Sequence, residues 1–250
     1  MKFKNIFITG ANRGIGYEFA RQFVSSSDPP QVIFATYRSA NSLQELKDLQ
    51  EASKKTKVVL IKMDVTDPEE IEVARQIVET NVGEEGLDLL INNAGICEVT
   101  PYDGITVESL EKHFKTNAVA PLLITKALTP LLEKAAVQQN GYKAAVLNIS
   151  AALGSMGLTG TIPFEVNVST YKISKAAFNM AMRVSSLPLK EKGILIVIMC
   201  PGWVKTDMGN RDMAELTPEE SISAMIKTIE SVTEKDHGTF VDRFGKTIPF

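Results

Sequence analysis

The 250-residue chain is 44% hydrophobic, enough for a substantial core in one domain spanning residues 1–250. Its 27 basic and 30 acidic residues leave a formal net charge of −3, which excludes the basic field that nucleic acid or an anionic membrane surface requires. Two distant cysteines and two distant histidines argue against a disulfide framework and a zinc centre, and no long apolar run follows Met1 to Asn5, so neither signal peptide nor membrane span is expected and the setting is read as reducing and cytoplasmic.

Along the chain, strand and helix patterns alternate. Residues 2–9 read as a buried strand and 14–26 as an amphipathic helix. Residues 31–37, rich in β-branched and aromatic side chains, form the second strand, and a helix follows over 42–53. The third strand is 57–63. Asp67 as N-cap and Pro68 at the first helical position then open a helix over 68–82. A short apolar strand at 87–91 precedes one long helical stretch from 107 to about 138. Strands at 144–149, 194–199 and 239–241 complete the set, with helices at 171–191 and 218–234 between them. Such alternation predicts a doubly wound parallel sheet with helices on both faces.

Between the first strand and the first helix lies Thr9-Gly10-Ala11-Asn12-Arg13-Gly14-Ile15-Gly16. Glycine permits a tight turn and lets backbone approach a pyrophosphate, and the helix N-terminus offers free N–H groups and partial positive charge. A glycine-rich turn without a ligand is the plainer explanation, but strand, loop and helix together are the context a dinucleotide site needs. Arg38 follows the second strand, and no carboxylate occurs from 36 to 42. A free ribose 2′-hydroxyl is usually held by Asp or Glu at this place, a 2′-phosphate by Arg. Arg38 and Arg13 are therefore read as a phosphate clamp, which predicts NADP(H) over NAD(H); the alternative is two solvated surface arginines.

The spacing Gly-x-x-x-Gly-x-Gly resembles that of the short-chain dehydrogenase/reductase family. Further segments follow in that family's order: Asn92-Asn93-Ala94-Gly95, Asn117, Ser150, Tyr171 with Lys175, and Pro201-Gly202-Trp203-Val204-Lys205-Thr206. The likeness runs from residue 9 to residue 206 and implies a Rossmann-type fold. It assigns cofactor contacts to Gly10, Asn12, Arg13, Gly14, Ile15 and Gly16 in the loop and to Arg38 after the second strand. It sets Asp64 against an adenine ring with the Val65 amide beside it, although a turn or N-cap role for Asp64 is equally open. Asn92, Ala94 and Gly95 would line the cleft, as would Pro201 and Val204, and Thr206 would meet the carboxamide.

Tyr171 and Lys175 are four apart, so a helix puts them on one face. An ammonium one turn away favours the phenolate and would lower a pKa that is near 10 in water. The same lysine would hold the nicotinamide ribose. Ser150 ends an apolar strand, at the sheet edge where such folds bind ligands, and its hydroxyl can bond a carbonyl oxygen as charge develops there. Asn117 is unfavourable inside a helix, which suggests a role such as holding a water near Lys175.

Within the family, the Ala-Leu-Gly-Ser run at 152–155, the long interval before Tyr171 and the short C-terminal tail resemble the sniffer-type, C-factor-like carbonyl reductases. That likeness implies NADPH-dependent reduction of aldehydes, ketones or quinones, with Tyr171 as general acid, in a homodimer packed through the helices at 107–138 and from 171. Ser150 and Tyr171 are 21 positions apart, longer than the family's usual interval, so 156–168 should bulge beside the substrate pocket. Ile96, Cys97, Phe164 and Trp203 would give that pocket an apolar wall. Cys97 is read as a small buried hydrophobe rather than a reactive thiol. The alternatives are an NADP-binding regulator with little turnover, against which the full set of catalytic side chains argues, and a sugar-nucleotide epimerase, against which the glycine spacing and the short C-terminal part argue.

Overall fold

The computed structural model describes residues 1–137, 144–162 and 167–250. Its strands are β1 (Asn5–Ile8), β2 (Val32–Tyr37), β3 (Lys57–Lys62), β4 (Leu89–Asn92), β5 (Ala144–Ile149), β6 (Ile194–Cys200) and β7 (Thr239–Asp242). They form one sheet in the order β3-β2-β1-β4-β5-β6-β7, parallel at every pairing. The helices are α1 (Gly14–Val24), α2 (Gln44–Ala52), α3 (Pro68–Val82), α4 (Val107–Phe114), α5 (Ala120–Val137), α6 (Ser169–Lys190) and α7 (Pro218–Ser231). This is the doubly wound, Rossmann-type architecture expected from the alternation.

The strands are apolar on both sides because both faces are covered. Period-two alternation sends Phe7, Phe34, Leu90, Val146 and Ile196 to one face, against Ile71 of α3, Leu128 of α5 and Phe178 of α6. Ile6, Ile33, Ile91, Leu147 and Val197 go to the other, against Phe19 of α1, Leu46 of α2 and Met225 of α7. From β1 the chain winds outward through β2 and β3, then returns to β4 on the other side of β1. The β1–β4 seam is thus the topological switch point, and a crevice opens beyond its strand ends.

Several predicted elements differ in extent. The first strand begins at Asn5 rather than residue 2, where the Asp88 carboxylate accepts the N–H of Lys4 at 3.1 Å and of Asn5 at 2.7 Å. The helix predicted over 42–53 divides into a 3₁₀ turn at Ala40–Ser42 and α2. The long helix predicted from 107 is interrupted between α4 and α5 by a π turn at Lys115–Val119; its predicted end near 138 lies outside the described residues. Pro121 explains the wider turn: it has no N–H for the Asn117 carbonyl four residues back, and its ring would crowd that carbonyl in a regular helix.

Candidate active site

A cleft of about 610 Å³ lies at the C-terminal edge of the sheet, over the switch point. That is within the range of small-molecule and cofactor sites. Its outer part is the glycine loop. Gly10 and Gly14 take positive φ of 64° and 56°, and a Cβ on Gly16 would lie 2.3 Å from the Gly10 carbonyl oxygen. Only glycine lets the loop fold this tightly onto α1. Thr9 and Asn93 hold it from below. Thr9 Oγ1 accepts the N–H groups of Asn93 and Ala94, both at 2.9 Å, while Asn93 Nδ2 donates to the carbonyls of Thr9 at 2.9 Å and Gly10 at 3.0 Å. Asn12 bonds Ser42 at the 3₁₀ turn. The N-cap of α1 is Arg13, whose side chain does not bond the helix's first N–H groups, so they face the cleft without a side-chain cap.

Arg38, exposed on the cleft wall, and Arg13 border the same outer end. Arg13 Nη1 lies 3.1 Å from Asp207, which also accepts from Arg211. With the Arg13 and Asp207 side chains 65% and 50% exposed, that pair is weak enough for a more highly charged phosphate to displace it. Asp64 braces its own turn: Oδ1 accepts from the Thr66 N–H and hydroxyl at 2.9 and 2.8 Å. These bonds, with the Arg38 charge, hold its carboxyl below the ordinary range despite the opposing effect of burial. Met63 and Val65 line the cleft on either side of it.

At the inner end Ser150, Tyr171 and Lys175 converge on the cleft. Tyr171 and Lys175 share a face of α6, with Lys175 Nζ 5.8 Å from the centre of the phenol ring and 4.9 Å from that of Phe178. Nζ donates to the Ile149 carbonyl at 2.8 Å, leaving further ammonium hydrogens for a ligand. Burial brings Lys175 down to about 8. Burial also drives the Tyr171 phenol well above its ordinary value, opposite to the lowering expected from the neighbouring ammonium, with the Cys97 and Cys200 thiols adding in the same sense. Desolvation of the phenolate outweighs a charge that is itself being lost.

Asn117 clamps rather than reaches. Its Oδ1 accepts the Ile96 N–H, and Nδ2 donates to the Ile96 carbonyl and to Ser174 Oγ, each at 2.9 Å. Ser174 Oγ donates in turn to the Tyr171 carbonyl at 2.7 Å, so the π turn, the Gly95–Ile96 loop and α6 are tied together. After β6, Pro201 and Thr206 line the cleft, and Thr206 Cγ2 would be 3.3 Å from a Cβ on Gly14. The two loops close on each other at that point.

Residues 4–217 match the short chain dehydrogenase family. The chain belongs to the short-chain dehydrogenase family. An NADPH-bound carbonyl reductase from chicken fatty liver has the same fold with a TM-score of 0.92 and 38% identity, covering 100% of both chains. The carbonyl reductase Sniffer of D. melanogaster gives a TM-score of 0.93 at 31% identity, also over 100% of both chains. An uncharacterized oxidoreductase of Schizosaccharomyces pombe, C663.09c, is 31% identical over 265 residues, 99% of this chain and 98% of that one. The resemblance to sniffer-type reductases therefore extends over the whole chain.

Seen as a short-chain dehydrogenase, the chain brings most of its predicted site residues to one cleft, with instructive exceptions. The Asn92 side chain points beneath the sheet, donating to Thr125 and Asn148, so Asn93 does the work at the glycine loop. One residue along a strand reverses the face, and β4 still runs through Asn92. Gly16 and Val204 are buried beneath the cleft rather than lining it. Trp203 is 40% exposed and bonds the Gly209 carbonyl, outside the cleft lining, which corrects its place in the apolar wall. Ile96 lines the cleft, Cys97 is half-buried and raised by burial to about 11, and Phe164 lies outside the described residues. The 156–168 segment is described in part: its near end is pinned by Ser155 Oγ to the Pro249 carbonyl at 2.5 Å, and its far end by Thr100 N–H to the Asn167 carbonyl at 2.8 Å. Asn179, which no motif announces, bonds Ser150 directly.

The residues present fit a phosphorylated dinucleotide: a glycine cradle that a Cβ would fill, uncapped helix N–H groups, two arginines at the outer end, and a buried ammonium with hydrogens to spare. No described helix is long and apolar enough to cross a membrane.

Proposed function

We propose that the chain is an NADPH-dependent carbonyl reductase acting on aldehydes, ketones or quinones. The observation that carries this reading is one continuous cleft, with Arg13, Arg38 and the glycine loop at one end and Ser150, Tyr171 and Lys175 at the other. The names of the chicken and Drosophila relatives point the same way. When bound, the dinucleotide supplies the hydride that reduces the carbonyl carbon. Tyr171 donates the proton to the carbonyl oxygen, and a phenol held above its ordinary pKa carries that proton throughout the neutral range. Lys175, fixed by the Ile149 carbonyl, directs its remaining hydrogens toward ribose hydroxyls. Ser150 stands beside the reacting oxygen. The Asn117 carbonyl, which Pro121 cannot bond, holds a water on the path that returns a proton to Lys175 and Tyr171. Gly10, Gly14 and Ile15 receive the pyrophosphate, Arg13 and Arg38 the 2′-phosphate, and Ala94, Gly95, Pro201 and Thr206 border the nicotinamide end. The apolar Ile96 on the cleft wall favours hydrophobic carbonyl substrates. The exposed apolar side of α6 makes a homodimer the expected assembly.

The test is oxidation of NADPH and of NADH, followed by absorbance, against a panel of aldehydes, ketones and quinones. NADPH-dependent turnover is expected. In Tyr171→Phe, turnover should fall at least a hundredfold while NADPH binding, read by fluorescence, stays within about twofold. Tight NADPH binding with no turnover on any carbonyl would replace the reductase with a nucleotide-binding regulator.

A further inference from the structure

His113 stands near the end of α4, four residues before Asn117, and is 0% exposed. Both of its ring nitrogens have backbone partners. Nδ1 lies 2.8 Å from the Ser109 carbonyl, and Nε2 accepts the Glu98 N–H at 3.2 Å. A carbonyl only accepts and an amide N–H only donates, so the ring proton sits on Nδ1 and the lone pair on Nε2. The imidazole is held in one neutral tautomer and cannot turn without orphaning a buried backbone group. Glu98 belongs to the segment that follows Gly95 out of the cleft. Alternate amides of that segment are tied down: Ile96 N–H by Asn117 at 2.9 Å, Glu98 N–H by His113, and Thr100 N–H by the Asn167 carbonyl at 2.8 Å. Thr100 Oγ1 also meets the hydroxyl of Thr170, the neighbour of Tyr171, at 2.6 Å. The Glu98 carboxylate pairs with Lys112, but both side chains are exposed and such a pair holds little. The buried tie at the middle of the segment is His113. Between the Ile96 and Glu98 ties sits Cys97, half-buried. After burial itself, its thiol is the next influence on both Tyr171 and Lys175, which places it beside them.

We propose that His113 is a positioning residue that fixes the Ile96–Glu98 segment as the substrate-side wall of the cleft, with Cys97 beside Tyr171. The proposal rests on the carbonyl reductase reading and deepens it by naming what sets the room next to the reacting carbonyl. Asn117 clamps the segment at Ile96, yet a chain held at one residue can still pivot about it. The second tie, two residues on, removes that freedom. His113 lies behind the wall rather than on it, so its loss reaches a carbonyl substrate through the segment and leaves the dinucleotide end untouched.

The experiment compares wild type with His113→Phe, which keeps a flat ring but offers no acceptor, and His113→Gln, which returns an oxygen to the Glu98 N–H. The first readout needs no turnover: the rate at which iodoacetamide alkylates Cys97, followed by mass spectrometry of its peptide, with the buried Cys200 as internal reference. His113→Phe is expected to raise the Cys97 rate about fivefold, the worth of one neutral hydrogen bond in holding the segment, and His113→Gln to keep it within about twofold. The second readout is steady-state reduction of the best carbonyl of the panel above. In His113→Phe the carbonyl KM should rise about fivefold while kcat and the Kd for NADPH stay within about twofold, and His113→Gln should restore the KM. A general loss of structure would neither spare the cofactor nor be repaired by one oxygen. Should His113→Phe fail to fold, His113→Asn replaces it, since its shorter amide can reach Ser109 but not Glu98, and the same results are expected. An unchanged Cys97 rate, equal behaviour of the Phe and Gln variants, or an NADPH affinity that falls as far as the carbonyl KM rises would each overturn the proposal. If wild type reduces no carbonyl, the reductase reading fails by itself, and the alkylation rates still decide whether His113 fixes the segment.

Discussion

Lys175, proposed above to hold the ribose, is unfavourable to the fold, and its titration makes that cost measurable. Its pKa falls from 10.5 to about 8 because burial penalises the charged form. The folded chain thus releases this proton before the unfolded chain does. Below about pH 8 both states are charged and the full penalty applies; as pH rises from 8 toward 10.5 the unfolded state binds more protons, and stability increases. A depression of this size corresponds to a penalty of roughly 3 kcal/mol at neutral pH. Lys175→Met should accordingly raise the urea midpoint at pH 7, raise it much less near pH 10.5, and reduce turnover at least a hundredfold. A lower midpoint at pH 7 would mean that the ammonium's bond to Ile149 outweighs its desolvation. At the other end of the cleft, Arg38→Ala should cost about tenfold or more in kcat/KM with NADPH and little with NADH, measured by initial rates, because only the former carries a 2′-phosphate. Equal losses with both would remove Arg38 from phosphate recognition. Side-chain chemistry made Tyr171, Lys175 and the two arginines legible in the sequence. It did not distinguish Asn92 from Asn93, since both sit in one tetrad and the strand's pleat chooses which faces the loop.

At the scale of elements, the glycine loop and the π turn place the chemistry. Gly16→Ala sets a Cβ 2.3 Å from the Gly10 carbonyl, a backbone atom that cannot swing aside. The loop must shift, so melting temperature should fall by several degrees and NADPH affinity by at least tenfold, read by thermal unfolding and fluorescence titration. A variant that binds NADPH as wild type does would show that the loop is looser than its geometry implies. Element identity was largely readable: Asp67 and Pro68 start α3 as expected. The break between α4 and α5 was less legible. Its periodicity reads as continuous helix, and a proline inside a helical run can be absorbed by a kink. Here the π turn absorbs it and presents Asn117 to Ile96 and Ser174.

For the whole molecule, the outward side of α6 carries Ile173, Met180, Val184 and Leu187, at least half exposed and on one face of the helix. An apolar stripe of this kind is unusual on a free surface. Sedimentation should report a dimer at micromolar concentration, and Met180→Lys combined with Leu187→Lys should yield a folded monomer. A monomeric wild type would leave the stripe to another partner.

What the sequence by itself determined is the order of strands and helices, the parallel sheet, the glycine loop and the meeting of Ser150, Tyr171 and Lys175 at one cleft. Each depends on local periodicity, on backbone geometry that only glycine allows, or on side-chain types at fixed helical spacing. The tertiary structure alone decided which asparagine supports the loop, that Trp203 bonds Gly209 outside the cleft lining, that burial raises Tyr171 instead of Lys175 lowering it, and that Asn179 bonds Ser150. Those outcomes depend on desolvation and on hydrogen-bond partners far apart in sequence, and neither exists until the sheet edge is assembled.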